Sequence, residues 1–278
     1  MPPIGGAGNP TIATVRAVSI TEDAPAAAPA TPAGADPGDG QSRGTSAWWW
    51  LVAASTLALL GVAAVLGIWW WASGADRIAT YRVVGELSGI RLDLDEADVV
   101  IDGGGTAAVE VRRTDSYAFD RPPIERRAVR GGFLEISSRC PETLLGTCRA
   151  GYRLSVPDNV PIEVRTTSGN VRIDGLRASA TVSTGSGGVT VDSFCGFLLR
   201  ATSESGDLAA AADCSTERME LRSNRGDVRL AVPPNRYRID AQSDGGRRQV
   251  RGVTLAEDAP FAIQALSTRG DVTVEGRP

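Results

Sequence analysis

The chain has no lysine and no histidine: all 29 of its cationic residues are arginine, set against 33 acidic residues for a formal net charge of −4. Without histidine there is no Ser-His-Asp or Cys-His nucleophile site and no histidine-ligated metal. Without lysine there is no Walker phosphate loop and no Schiff-base chemistry. Hydrolysis by paired carboxylates, or binding without chemistry, remains. Tryptophan is absent beyond residue 71, which leaves nine Phe and Tyr for the rest of the chain. A ligand there is expected to be held by hydrogen bonds and shape and not by stacking on indole platforms. The slight acidic excess offers no basic stripe for phosphates, so no nucleic acid is expected as a partner.

Residues 1–46 are rich in Ala, Pro and Gly and have too few large apolar side chains to offset the entropy of ordering, so a disordered tail is expected. Its charges, Arg16 and Arg43 against Glu22, Asp23, Asp36 and Asp39, give it no polybasic character. Residues 47–73 follow as a membrane helix. Trp48, Trp49 and Trp50 open an uncharged run that closes on Trp69, Trp70 and Trp71. At ~1.5 Å per residue this stretch spans roughly 36 Å, enough to cross a hydrocarbon core of about 30 Å, with an indole triplet at each headgroup level. A cleaved signal peptide is the alternative, but it wants a basic start and a shorter apolar run. The bilayer is thus the first expected partner.

Arg77 and Arg82 beyond the span would favour a cytoplasmic C-terminal side, but long domains translocate largely regardless of charge. Cys140, Cys148, Cys195 and Cys214 all follow the span, an even number that suits an oxidising compartment. The expected arrangement is a single pass through the cell membrane, N-terminus cytoplasmic and residues 80–278 extracytoplasmic.

That last region repeats itself. Gly169, Gly187, Gly206, Gly226, Gly246 and Gly270 recur at intervals of 18, 19, 20, 20 and 24. Seven and five residues before each lie apolar residues, three before lies a hydroxyl (Thr166, Thr184, Ser203, Ser223, Ser243, Ser267), and two and four after come apolar residues again. The Gly246 unit departs, with Arg248 before Val250. Alternation on both sides of a glycine turn predicts two short strands per unit with one inward face. Such units bury that face by stacking, each strand pairing with its counterpart ~4.8 Å away, which makes an all-β parallel solenoid. Strands are also expected at 98–101, 109–111, 133–136 and 152–156, as irregular first rungs of the same body.

The stretch Tyr152 to Leu176 (YRLSVPDNVPIEVRTTSGNVRIDGL), with the recurring TGSGGVTV, SESGDLAA, SNRGDVRL and STRGDVTV, resembles the bacterial putative-adhesin domain of unknown function. The resemblance spans about residues 90–276. It implies a right-handed β-helix on an envelope protein, no established enzymatic activity, no cofactor and no catalytic residues. It is compatible with binding cell-wall polysaccharide or envelope proteins, or with a regulatory ectodomain in envelope-stress sensing.

Several motifs have a structural and a functional reading. Arg225-Gly226-Asp227 and Arg269-Gly270-Asp271 could be integrin ligands, but they share the glycine column with Ser168-Gly169-Asn170 and Ser205-Gly206-Asp207, so turn formation is expected. Asp93, Asp95, Glu96 and Asp98 could ligate calcium but lack the glycine and terminal glutamate of a calcium loop, so a solvated strand edge is expected and no metal site. Asp207, Asp227 and Asp271 fall just past the turn, where a polysaccharide-cleaving pair would not be placed. Cys195 and Cys214 each lie eight residues after a repeat glycine, so register pairs them across adjacent rungs and leaves Cys140 and Cys148 to close a loop containing Pro141 and Gly146. The alternative at Cys195 and Cys214 is two stacked free thiols.

Overall fold

The computed structural model describes residues 45–72, 75–104, 108–118, 121–142 and 147–277, so the expected tail lies almost wholly outside the described residues. Helix α1 (Thr45–Ala72) contains the apolar run. Within it Trp49–Trp69 is long and apolar enough to cross a membrane, and its described side chains, including Trp49, Trp50 and Trp69, are exposed. At ~1.5 Å rise those 21 residues cover about 32 Å. The backbone of Trp48, Trp70 and Trp71 is helical as well.

The remainder is β-structure. The first strands are β1 (Ala75–Val83), β2 (Gly89–Gly103), β3 (Val109–Tyr117), β4 (Ile124–Arg130), β5 (Phe133–Arg139) and β6 (Cys148–Val156). The repeat units follow as strand pairs: β7 (Ile162–Ser168) with β8 (Val171–Asp174), β9 (Ala180–Ser186) with β10 (Val189–Phe194), β11 (Leu198–Ser205) with β12 (Leu208–Ala212), and β13 (Arg218–Arg225) with β14 (Val228–Val232). The chain closes with β15 (Arg236–Ser243), β16 (Arg248–Arg251), β17 (Thr254–Leu255), β18 (Phe261–Arg269) and β19 (Val272–Gly276).

Each unit gives its first strand to one parallel sheet, sheet B, and its second to another, sheet A, as the two-strand alternation predicts. Inward columns run along the stack in register: Ile162, Ala180, Leu199 and Met219 in sheet B, and Val171, Val189, Leu208 and Val228 in sheet A. These side chains are buried in one continuous core between the sheets. Alternation fixes the register, because a slip of one residue would turn every apolar side chain to solvent.

β2 is a rung without a glycine turn. Its inward residues Ile90, Leu92 and Leu94 shift phase to Ala97, Val99 and Ile101, so one strand turns the corner and serves both sheets. It pairs with β7 and β8 on one side and with β5 and β6 on the other. Beyond β6 the sheet reverses: β3 pairs with β6, β1 with β3 and β4 with β5, all antiparallel. The segment expected to hold irregular first rungs is therefore one true rung, one flanking rung and an antiparallel cap.

Stacking in chain order holds from β2 to β14 and then stops. β13 and β14 pair with β18 and β19, and the Gly246 unit, β15 and β16, lies outside them as the last rung. The expectation that the Gly246 unit follows the Gly226 unit is corrected, and Arg248 is the physical reason. It occupies the column held by Val228 and Val272, and an arginine there is tolerated only where no further rung covers it. Arg248 is exposed in the structure. The longer interval before Gly270 carries the chain back through β17 to fill the interior slot.

Candidate functional site

The glycine column is built by close approach. At Gly206 and Gly226 φ is +158° and +155°, and an added Cβ would overlap the glycine carbonyl of the preceding rung. The hydroxyl column supplies that carbonyl with a partner. Ser203 donates to the Gly187 carbonyl (3.1 Å), Ser223 to Gly206 (2.9 Å), Ser267 to Gly226 (2.8 Å) and Ser243 to Gly270 (2.8 Å). Sequence alignment finds this column without revealing its purpose, because the bond lies between rungs.

The Asx position makes a third ladder. Asp207 accepts the backbone N–H of Asp227 (2.8 Å), Asp227 that of Asp271 (2.9 Å) and Asp271 that of Arg247 (2.8 Å). Both Arg-Gly-Asp tripeptides thus spend their aspartates as staples between rungs, and Asp227 is further paired with Arg229. The backbone N–H and guanidinium of Arg247 hold the Asp271 carboxyl below the usual carboxylate range. Asn170 plays the same part, accepting from the Gly188 N–H at 2.9 Å. Gly188 has no side chain to offer the next rung.

Cys195 and Cys214 form a disulfide with Cα atoms 4.9 Å apart, and Cys140 and Cys148 form another at 5.9 Å. Pro141 is described, whereas Gly146 lies outside the described residues. Asp93, Asp95 and Asp98 are engaged by arginine: Arg139 meets Asp93 at 2.6 Å and Asp95 at 3.4 Å, and Arg149 meets Asp98 at 3.3 Å. Asp98 also accepts the Asn170 N–H at 2.8 Å. The reading of these acids as a strand edge is corrected, since β2 is flanked by strands on both sides.

Sheet B carries a groove of about 500 Å³ on its outer face at β4, β5, β2 and β7. Along its floor runs a charge ladder: Arg130–Glu135 (3.2 Å), Glu135–Arg91 (3.6 Å), Arg91–Glu163 (3.3 Å) and Glu163–Arg165 (2.6 Å). Arg126 also lines it and makes no side-chain ion pair or hydrogen bond among the described residues. Every carboxylate in the ladder faces a guanidinium, so the groove presents donors for an anionic or hydroxyl-rich ligand.

One buried cluster escapes the glycine-repeat pattern altogether. Arg113 donates to Asp115 (2.6 Å), Glu125 (2.8 Å) and the Pro123 carbonyl (2.7 Å), while Tyr152 and Tyr81 each donate to Glu125 at 3.2 Å. Burial pushes the Asp115 carboxyl up despite Arg113, and pushes both tyrosines up. For Arg113 burial works against the charge, but Tyr152, Asp115 and Glu125 outweigh it and raise its pKa. The signal was present in the alternation, because Val109 and Val111 place Arg113 and Asp115 on the same inward face.

Three comparisons bear on kinship. No curated protein matches the chain. A solved structure of a putative cell adhesion protein from Clostridium sporogenes is similar at 13% identity and a TM-score of 0.48, covering 73% of this chain and all of that one. A putative adhesin from Bacteroides fragilis is similar at 15% identity and a TM-score of 0.41, covering 72% and 97%. The family model described as Toastrack DUF4097 matches residues 160–251, the stretch that holds the rungs from β7 to β16. Residues 160–251 thus match a Toastrack DUF4097 domain, in keeping with the domain of unknown function that the repeats resemble.

Proposed function

We propose that the chain is a single-pass envelope protein: residues 1–46 a cytoplasmic tail, 47–73 the membrane helix, and 80–278 an extracytoplasmic solenoid that binds wall polysaccharide or an envelope protein without catalysis. The groove on the outer face of sheet B carries this reading. It offers a rigid sheet surface, guanidinium groups at Arg91 and Arg165, and carboxylates already engaged by arginine. Sugars, phosphates and carboxylates are what such a donor-rich surface recognises. Two disulfides in the β-body support its placement in an oxidising compartment.

Retention of the full-length protein in detergent on immobilised wall polysaccharides, and pull-down of envelope proteins, test the reading. Binding weakened by Arg91→Ser and Arg165→Ser is the expected result. Release of reducing ends or unsaturated products from the polysaccharides would contradict it. Protease added to wall-stripped cells is expected to digest the solenoid and spare a tag before Met1, and the reverse pattern would invert the orientation.

A further inference from the structure

The two ends of the solenoid carry similar excesses of arginine. At one end β1 and β4 hold Arg77, Arg82, Arg126, Arg127 and Arg130 against Asp76 and Glu125, and at the other β15, β16 and β17 hold Arg236, Arg238, Arg248 and Arg251 against Asp240. Charge on a sheet edge has a general explanation, since it discourages pairing with another chain. Apolar exposure does not. Six large apolar side chains of the described β-body are more than half exposed: Ile78, Val84, Ile124, Val129, Phe197 and Leu255. Four of them lie on β1, on the residue after it, or on β4, and only Leu255 belongs to the opposite end.

These four do not share one sheet face. Tyr81 and Val83 pack against the core, so alternation turns Ile78 to the outer side of sheet A. In β4 Ile124 alternates with Glu125, whose carboxylate reaches inward to Arg113, and so faces the outer side of sheet B. The two strands meet where Tyr81 bonds Glu125 and Arg127 lies over the Tyr81 ring at 4.3 Å. Only a surface that meets this end as a whole would touch all four. β1 begins three residues after the last residue of α1, a span of at most about 10 Å.

We propose that the β1 and β4 end is a seat for an anionic phospholipid surface, with Arg77, Arg126 and Arg130 toward lipid phosphates and Ile78, Val84, Ile124 and Val129 in the interfacial layer. Arginine pairs with phosphate in fork geometry, and apolar side chains among cations are what an interfacial protein surface presents. The proposal rests on α1 being a membrane span. The opposite end lacks both the apolar rim and the tether, so it stays in solution.

The test uses the full chain in nanodiscs containing phosphatidylglycerol and a nitroxide-headgroup lipid, with a fluorophore on Ala128→Cys in β4 or on Thr254→Cys in β17. The four native cysteines are disulfide-bonded, so the added thiol labels alone. The expected result is strong quenching at 128 and none at 254, lost at 128 in discs of phosphatidylcholine alone and in the Arg126→Ser, Arg130→Ser variant. A chain that stays with the disc but is unquenched at 128 would overturn the seat. Quenching that persists in phosphatidylcholine would overturn the anionic assignment. A chain that elutes apart from the disc would overturn the span itself.

Discussion

The two ends of this solenoid solve one problem in different ways. A parallel stack ends on unpaired strands that would template another chain. At the β1 and β4 end the stack reverses into antiparallel strands and closes over the ion network of Arg113, Asp115 and Glu125. At the β15 and β16 end it simply stops, and Arg248 stands in a core column where a further rung would need an apolar residue. The first solution buries charges that must all be satisfied. The second leaves a charge in water and costs little. Between them the three ladders of glycine, hydroxyl and Asx repeat from rung to rung.

The largest effect should come from the closed end. Arg113→Ala leaves Asp115 and Glu125 buried without their cation and is expected to cost about 3–5 kcal/mol in urea unfolding of the chain. A loss near zero would mean that water reaches the network. In the middle, Gly206→Ala forces a Cβ against the Gly187 carbonyl at a φ only glycine adopts readily, for an expected loss of roughly 3 kcal/mol by the same measurement.

Acid should separate the ends in sign. The folded pKa of Asp115 is raised by burial, so its contribution is full when protonated and is lost as pH rises through the folded value. Asp240, Asp258 and Asp271 are lowered by hydrogen bonds from Gln242 and Gln264, from Arg236 and from Arg247. Their contribution is present above the usual carboxylate range and is lost as pH falls through it. Hydrogen exchange at about pH 3 against pH 7, corrected for intrinsic rates, should therefore show β15 and β16 losing protection before β3 does. Earlier loss at β3 would reverse the assignment.

Smaller effects test the ladders and the open end. Gly188→Asn restores the missing Asx rung opposite the Asp207 N–H, with the new Cβ in a close contact of 3.3 Å to the Asp207 carbonyl oxygen that a slight shift of the turn must relieve. It is expected to stabilise by about 0.5–1 kcal/mol, and destabilisation would mean that the gap relieves strain. Arg248→Val should leave the unfolding midpoint almost unchanged and instead raise association with concentration in light scattering. A variant that stays monomeric would show that Arg248 does not guard the edge.

Much of this was legible in the sequence. The columns around Gly169 to Gly226 predict strand pairs, a parallel stack and the adjacency of Cys195 and Cys214, because each needs only a repeat and a period of two. Arg248 was visible as a departure but not as a position, since a repeat gives the pitch of a stack and not the order in which its last units are laid down. β2 was half hidden because it turns its corner by a phase shift between Leu94 and Ala97 instead of a glycine. The closed end was least legible. Its antiparallel strands answer to no repeat, and Arg113 and Asp115 announce themselves only when the alternation from Val109 is carried onward.

The order of the rungs is the central claim, and crosslinking of outward-facing neighbours tests it most directly. Glu220 is in register with Gln264, and Gln264 with Asp240. Adjacent rungs bring Cα atoms to ~4.8 Å and next-but-one rungs to about twice that, beyond the reach of a disulfide. Under oxidation the pair Glu220→Cys with Gln264→Cys should close, and so should Gln264→Cys with Asp240→Cys, while Glu220→Cys with Asp240→Cys stays open. Ready closure of the 220–240 pair, with 220–264 open, would mean that the rungs stack in chain order and that Arg248 lies inside.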